Sequence, residues 1–492
     1  MAVIVYLRDR HRLATAGAVL AVFGFGCFLV GVFAVRQTGQ GLMLIAAMFS
    51  LVVYWAKPEA MVWVALFWAF AALPADLHVG KVVGPAVIYA YQAALVLAIC
   101  YLIPVVKPRF SDFVLPGIFA LMVVFSTVVG FATGHADWVV IRESTTLLEM
   151  VAGFILALLI VKGNYVKGSI RAMVVILWFS AAMAIVGSFH AVRLAGRAES
   201  LQGSGAGEAL RIILSAQTPA TAVLTALIAA TIVGRVRPAM YLVLGPPALI
   251  ISLLSFSRNP LISFAVAAVV AVLAGFNWLT LRRSLTLTAI SVLVIAATVA
   301  WSLFLLQGSS TGTWIAEQFS AFNRRVLGGV STGALAVDPS TLDRLREVEN
   351  LDRAIAQAPV FGHGLGYAYQ QPYGSDPDEF TMKFYPTYSH LFYLWWLAKA
   401  GMVGMAAFAV FAVTPLLRAL RRASAPAKIS AAVSAGLLAM STVWPLPEMP
   451  TDAVSLGLAL GATMGFAGLR PAAAAVDEMA GPPARVLTGG FG

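Results

Sequence analysis

Long apolar runs alternate along the chain with short polar breaks, and most of the runs are of membrane-crossing length. About 30 Å of hydrocarbon crossed at 1.5 Å per residue needs roughly 17–25 apolar residues. Such runs fall near residues 14–35, 40–56, 60–76, 83–104, 111–132, 144–161, 169–192, 212–234, 239–257, 260–276, 285–307, 389–417, 427–446 and 451–469. The second and third are poorly separated, and only Asn259 and Pro260 divide the ninth from the tenth. The pattern therefore predicts an all-α polytopic membrane protein of about 12–14 transmembrane helices.

One break is much longer than the others and splits the chain into segments 1–307, 308–388, 389–470 and 471–492. The stretch 308–388 is rich in charge, and it is read as an extracytoplasmic loop that is partly helical. Within it Ser340-Thr341-Leu342-Asp343 has the form of a capping box, and Leu342, Leu345, Val348, Leu351 and Ile355 recur at helical spacing until Pro359. These signals predict an amphipathic helix lying over the bundle or the membrane interface. Loops of this length between closely spaced helices are uncommon unless they carry function. The tail 471–492 is rich in Ala, Pro and Gly and reads as a disordered cytoplasmic segment.

Composition supports the membrane assignment. Of 492 residues 60% are hydrophobic and 11% charged, and the mean hydropathy is +0.87, too apolar for a water-soluble globule of this size. The two cysteines, Cys27 and Cys100, both lie in apolar runs, which excludes a disulfide scaffold or a cysteine-rich metal site. A formal charge of +11 does not point to nucleic acid, because Lys and Arg sit between apolar runs rather than on a basic face with interleaved aromatics. Their placement instead sets topology. With the amino terminus inside, Arg8, Arg10, Arg12, Lys107, Arg109, Lys162, Arg235, Arg282, Arg283, Arg418, Arg421 and Arg422 all fall on cytoplasmic breaks, and both termini are then cytoplasmic. The first apolar run lacks the small-residue cleavage site of a signal peptide.

Three polar positions run against that bias. Arg211 opens a predicted span, Arg258 lies in Ser257-Arg258-Asn259-Pro260 between two spans, and His390 stands where the long loop re-enters the membrane. The alternating topology puts all three at the outer face. A guanidinium fork binds phosphate oxygens bidentately and stays charged at any physiological pH, so two of them can neutralise a pyrophosphate. Each can equally snorkel to lipid head groups or pair with a carboxylate such as Glu208. An imidazole can take a proton near neutral pH, which suits activation of a hydroxyl, although an interfacial aromatic belt would also explain His390 beside Tyr393, Trp395 and Trp396. His363, in Gly362-His363-Gly364-Leu365-Gly366, is the rival base, and its glycines also read as a tight turn. Asp137, Arg142 and Glu143 form a candidate ion network beside the site. The chain has no phosphate-binding loop for ATP and no metal-ligand cluster such as His-Glu-x-x-His, so neither a cofactor nor a bound catalytic metal is expected.

Taken in order, Arg211 to Pro219, Ser257-Arg258, Arg353 with Ala358-Pro359-Val360-Phe361-Gly362-His363-Gly364-Leu365-Gly366, then His390 with Tyr393-Leu394 and Lys399-Ala400-Gly401-Met402-Val403-Gly404, resemble the O-antigen ligase and Wzy-type polysaccharide polymerase family. The resemblance covers residues 211–404. It implies a glycosyltransferase of the bacterial cytoplasmic (inner) membrane with its active site facing the periplasm. Its donor would be an oligosaccharide on undecaprenyl pyrophosphate, and its acceptor another glycan or a lipid-linked molecule. Carried over by position, Arg211 and Arg258 would engage the pyrophosphate and His390 would activate the acceptor hydroxyl, with Arg353 and His363 in support. A chain-length regulator or flippase is the partner such an enzyme would have. Leu391 follows the histidine where the family commonly has Asn or another small polar residue, so the motif does not supply the group that orients the ring. Displacement of a lipid pyrophosphate already holds an activated leaving group, and in-line attack inverts the anomeric centre without a metal. Polymerase is favoured over ligase on base rate. From a different class, a secondary transporter or lipid flippase would also suit many spans, but it would place ionisable groups near the midplane, where only Glu149 and Lys399 stand. A non-catalytic assembly partner is the third reading.

Overall fold

The computed structural model describes residues 38–75, 80–83, 86–189, 194–200, 210–234, 238–275, 308–328, 339–374 and 379–469, together with residues 31 and 376 and isolated positions between 278 and 306. Apart from Gly31, the predicted span 14–35 lies outside the described residues, as do the tail 471–492 and Glu208.

The described chain is almost entirely helical. The first apolar runs give α1 (Thr38–Ala56), α2 (Met61–Phe70), α3 (Ala90–Val106), α4 (Val114–Ala132), α5 (Asp137–Lys162) and α6 (Val166–Ser188). The central runs give α7 (Gln217–Val233), α8 (Pro238–Leu254) and α9 (Asn259–Gly275). The long break contains α10 (Ser310–Phe322), α11 (Pro339–Gln357) and the single turn α12 (Phe380–Lys383), before α13 (Phe392–Leu420), α14 (Ala425–Met440) and α15 (Pro450–Gly468) close the bundle. Among the described residues α4, α5, α6 and α13 are long and apolar enough to cross a membrane, and further apolar helices of 10–17 residues pack beside them. The protein is an all-α polytopic membrane protein.

Two short hairpins interrupt this pattern where β-branched residues cluster next to turns. β1 (Gly80–Val83) pairs with β2 (Ala86–Tyr89) just before α3, and β3 (Arg197–Ser200) pairs with β4 (Leu210–Ile213) just before α7. Both take residues that the hydropathy pattern assigned to the starts of spans, because an apolar run of four residues satisfies either period. The run 60–76 is also cut short. Beyond Phe70 the chain extends, with the Ala72 N–H donating to Ser180 Oγ and the Ala195 N–H to Leu73 O.

Close packing in the centre depends on α5 and α15. A methyl group at Gly457 or Gly461 would overlap the carbonyl oxygens of Met150 or Phe154, so this glycine pair one turn apart lets two backbones touch. Against them lies an aromatic core in which Phe411 stacks on Phe119 at 5.0 Å and meets Phe154 at 5.0 Å, while Phe392 meets Phe408 at 5.0 Å. This core anchors α13, the helix that carries His390 at its threshold and Lys399 in its first turns.

Candidate active site

The start of α13 is held from three directions. Helix α11 buries Leu351 and Ala354 in the core that also contains Phe392 and Trp395. On the same face, one turn earlier, it buries Glu347 completely. The apolar stripe predicted for this helix is thus rotated: Leu342 and Leu345 are exposed, and Glu347 takes an inward position. The Glu347 carboxylate lies against the chain entering α13. Its Oε1 accepts from His390 Nδ1 at 2.8 Å, and its Oε2 accepts from the His390 N–H at 2.9 Å and from Ser389 Oγ at 3.0 Å. Three donors on one buried carboxylate offset the cost of removing it from water. Because a carboxylate only accepts, this contact puts the proton on Nδ1 and leaves Nε2 as the basic nitrogen.

Glu347 therefore supplies the orientation that Leu391 does not. Sequence reasoning missed it because a charged residue inside an amphipathic pattern reads as outward-facing. The available signal was its spacing, since Glu347, Leu351 and Ala354 lie at i, i+4 and i+7, on one face.

A second carboxyl group supports the same segment. The Ser389 N–H donates to Glu448 Oε2 at 3.3 Å, while Glu448 Oε1 is buried with no hydrogen-bond partner among the described residues. Burial pushes the Glu448 carboxyl well above the usual carboxylate range. The Tyr388 ring meets His390 edge-on at 5.1 Å, and Tyr388 O accepts from Tyr369 OH at 2.6 Å. Trp395 Nε1 donates to Thr387 O at 2.7 Å.

The glycine-rich segment 362–366 builds an adjoining wall. Helix α13 is broken at Gly401, whose φ is 65°. The break lets the loop take over the backbone hydrogen bonds: His363 N–H donates to Ala398 O at 3.0 Å, Gly364 N–H to Lys399 O at 2.8 Å, and Met402 N–H to Pro359 O at 2.8 Å. Polar backbone freed inside a membrane bundle must be satisfied in this way. At Gly364, with φ 87°, a Cβ would press on the backbone of Gly130. Buried Lys399 bridges both oxygens of Glu143 at 2.8 and 2.9 Å, and Glu143 also accepts from the Gly366 N–H at 2.7 Å. Of the expected ion network, Glu143 joins Lys399, whereas Arg142 lies over the Phe384 ring at 4.5 Å. Glu149, the other midplane group, accepts from Tyr91 OH at 2.7 Å and from Gln92 Nε2.

His363 sits in this wall. Its Nε2 is 2.8 Å from Ala354 O and its ring stacks on Tyr367 at 4.0 Å. Arg353 is exposed on α11, with its Nε donating to Glu349 O at 3.3 Å.

Arg211 does not open a span. It lies in β4, four residues ahead of Ser215 and before α7 begins at Gln217. Its Nε donates to Ser255 O at 3.0 Å, which ties it to the turn carrying Arg258 between α8 and α9. The structure so brings the two arginines' segments together. Their link to the His390 region runs through helix ends: Thr218 at the start of α7 hydrogen-bonds Asp452 at the start of α15, Trp444 Nε1 donates to the same carboxylate at 3.2 Å, and Glu448 lies between these two residues in sequence. None of the hydrogen bonds of His390 is to Arg211 or Arg258.

Residues 246–409 match the family model described as O-antigen ligase. The matched segment begins in α8 and ends just beyond the Gly401 break, so it contains Arg258, Arg353, Glu347, His363 and His390 but not Arg211. No curated protein matches the chain.

Proposed function

We propose, from the premise that this chain belongs to the O-antigen ligase family of membrane glycosyltransferases, that it transfers a glycan from undecaprenyl pyrophosphate to an acceptor hydroxyl at the periplasmic face of the inner membrane. The observation that carries this reading is the Glu347–His390 dyad, buried on the carboxylate side and 27% exposed on the imidazole. A fixed Nδ1–H tautomer leaves Nε2 free of the carboxylate and able to take the acceptor's proton as the sugar oxygen attacks the anomeric carbon. A carboxylate that holds an imidazole in one tautomer and stabilises the cation formed is the same arrangement hydrolases use.

The leaving group is the lipid pyrophosphate. As the anomeric carbon–oxygen bond breaks, negative charge grows on the bridging oxygen, and Arg211 with Arg258 would neutralise it. One displacement inverts the anomeric centre. Since guanidinium groups carry the charge stabilisation, transfer should survive chelation. Arg353 and His363 then take supporting roles, His363 through its contacts to Ala354 and Tyr367. A polymerase, which uses a second lipid-linked repeat as acceptor, is favoured over a ligase that delivers the glycan to lipid A-core. The pairing of Glu149 and Lys399 with fixed partners weighs against a transporter, whose working charges must change partners.

The test is transfer in proteoliposomes by the purified protein from a pyrophosphate-linked oligosaccharide, with chelator present. Lengthened or transferred glycan and free undecaprenyl pyrophosphate are expected, with Arg258→Ala raising KM for the donor and lowering kcat. Full activity in both Arg258→Ala and His390→Ala would overturn the assignment.

A further inference from the structure

A cavity of about 680 Å³ lies beside the dyad, between α11 and residues 367–373 with Tyr385. Its floor on α11 carries Arg346, Asn350 and Arg353, and the facing wall includes Tyr367, Tyr373 and Tyr385. Among the described residues no carboxylate lines it. Residues 346, 350 and 353 share one helical stripe, so the two arginines stand about 10 Å apart along the axis, close to the length of a disaccharide.

The rings are held rather than loose. Tyr367 is stacked on His363, and Tyr373 meets Tyr385 edge-to-face at 4.9 Å. The Tyr373 side chain remains exposed. Gln370, also on this wall, donates its Nε2 to Tyr385 O at 2.7 Å, while its Oε1 is buried without a partner among the described residues. Fixed aromatic faces with convergent amide and guanidinium groups are the chemistry that recognises saccharides, whose C–H faces lie against rings and whose hydroxyls hydrogen-bond amides.

The two arginines add a sign to this chemistry. Arg353 lines the cavity, and its one hydrogen bond among the described residues is through Nε, to Glu349 O. Arg346 makes one exposed ion pair, at 3.6 Å to Asp343, which is worth little against a ligand carboxylate. The cavity is also coupled to the dyad. Tyr369 on its wall bonds the carbonyl of Tyr388, next to His390, and α11 bears Glu347 one position beyond Arg346.

We infer that this cavity is a saccharide subsite selective for acidic glycan, in which Arg346 and Arg353 bind carboxylates of about two consecutive sugars and the tyrosines pack against the rings. The inference rests on the transferase reading for its direction, since such a site would align a glycan chain with His390. Its test is binding, so the two can fail separately.

The full-length protein in nanodiscs is titrated by calorimetry with a tetrasaccharide of alternating glucose and glucuronic acid, and with the same tetrasaccharide after reduction of its carboxyl groups. The acidic form should bind at least tenfold more tightly than the reduced form. Arg353→Gln and Tyr373→Leu, both at exposed positions, should each weaken it about tenfold with unchanged thermal unfolding, and added salt should weaken it further. Equal binding of the two saccharides, absent binding of both, or an Arg353→Gln variant with unaltered affinity would overturn the subsite. Acid-selective binding lost in Arg353→Gln, in a protein that transfers nothing, would keep the subsite and remove the transferase reading.

Discussion

Replacing Glu347 by Gln isolates the role given to the dyad, because it changes one oxygen to an amide nitrogen with little change in shape. The structure fixes which way the amide must turn. Oε2 accepts from two donors, the His390 N–H and Ser389 Oγ, whereas Oε1 accepts only from His390 Nδ1. The amide oxygen will take the two-donor position, since the reverse would set an NH2 against a buried N–H at a cost of about 1–3 kcal/mol. The NH2 then faces Nδ1, which must become an acceptor, and the ring proton moves to Nε2. The nitrogen assigned to receive the acceptor's proton is thereby blocked. A positioned general base contributes about 10²–10⁴-fold, so kcat for transfer should fall by that factor, equivalent to about 3–5 kcal/mol at 1.36 kcal/mol per decade. KM for the donor should hold within about threefold, because the arginines assigned to the pyrophosphate are untouched. The assay is steady-state transfer in proteoliposomes, with Glu347→Gln compared with the unaltered protein over a series of donor concentrations. A variant with near-normal kcat would refute the tautomer argument, and Glu347 would then be a structural hydrogen-bond acceptor only.

Three further outcomes follow from the packing around the dyad. Lys399→Met leaves Glu143 buried and unpaired and should cost about 3–5 kcal/mol in detergent-solubilised thermal unfolding, while adding Glu143→Gln should restore much of it; equal loss in single and double variants would contradict the pairing. Gly401→Ala should lower thermal stability sharply, because the residue holds φ 65° and a Cβ would overlap Val360 O, whereas Gly117→Ala, with open space around it, should be neutral or slightly stabilising. Glu448 has a folded-state carboxyl raised well above its unfolded value by burial. It contributes stability that is fully present below the unfolded pKa and lost as pH rises towards the folded one. Unfolding temperatures should therefore decline upward from about pH 4.3 on its account, and Glu448→Gln should remove that component of the slope.

The parts of this architecture that were legible in the sequence are those governed by one local period. Apolar runs gave most of the helices, because spanning a bilayer imposes length and composition on each segment by itself. The start of α7 was misplaced because Leu210–Ile213 satisfies strand and helix alike, and only pairing with Arg197–Ser200 decides between them. At the site, His390 and the two arginines could be picked out as polar groups at span ends. Glu347 could not, since its burial depends on a histidine 43 positions away, and the Glu143–Lys399 pair joins residues 256 apart. The glycines at 362, 364 and 366 signalled a turn, but the turn's task of completing the backbone bonds released at Gly401 exists only in three dimensions.

The most direct test of the account is single-turnover transfer by His390→Gln, begun from protein already loaded with a pyrophosphate-linked oligosaccharide. The variant should hold the donor with ordinary affinity and release undecaprenyl pyrophosphate at least a hundredfold more slowly than the unaltered protein, the lower end of what a general base supplies. Release and glycan transfer at an undiminished rate would show that the imidazole held by Glu347 takes no proton in the reaction.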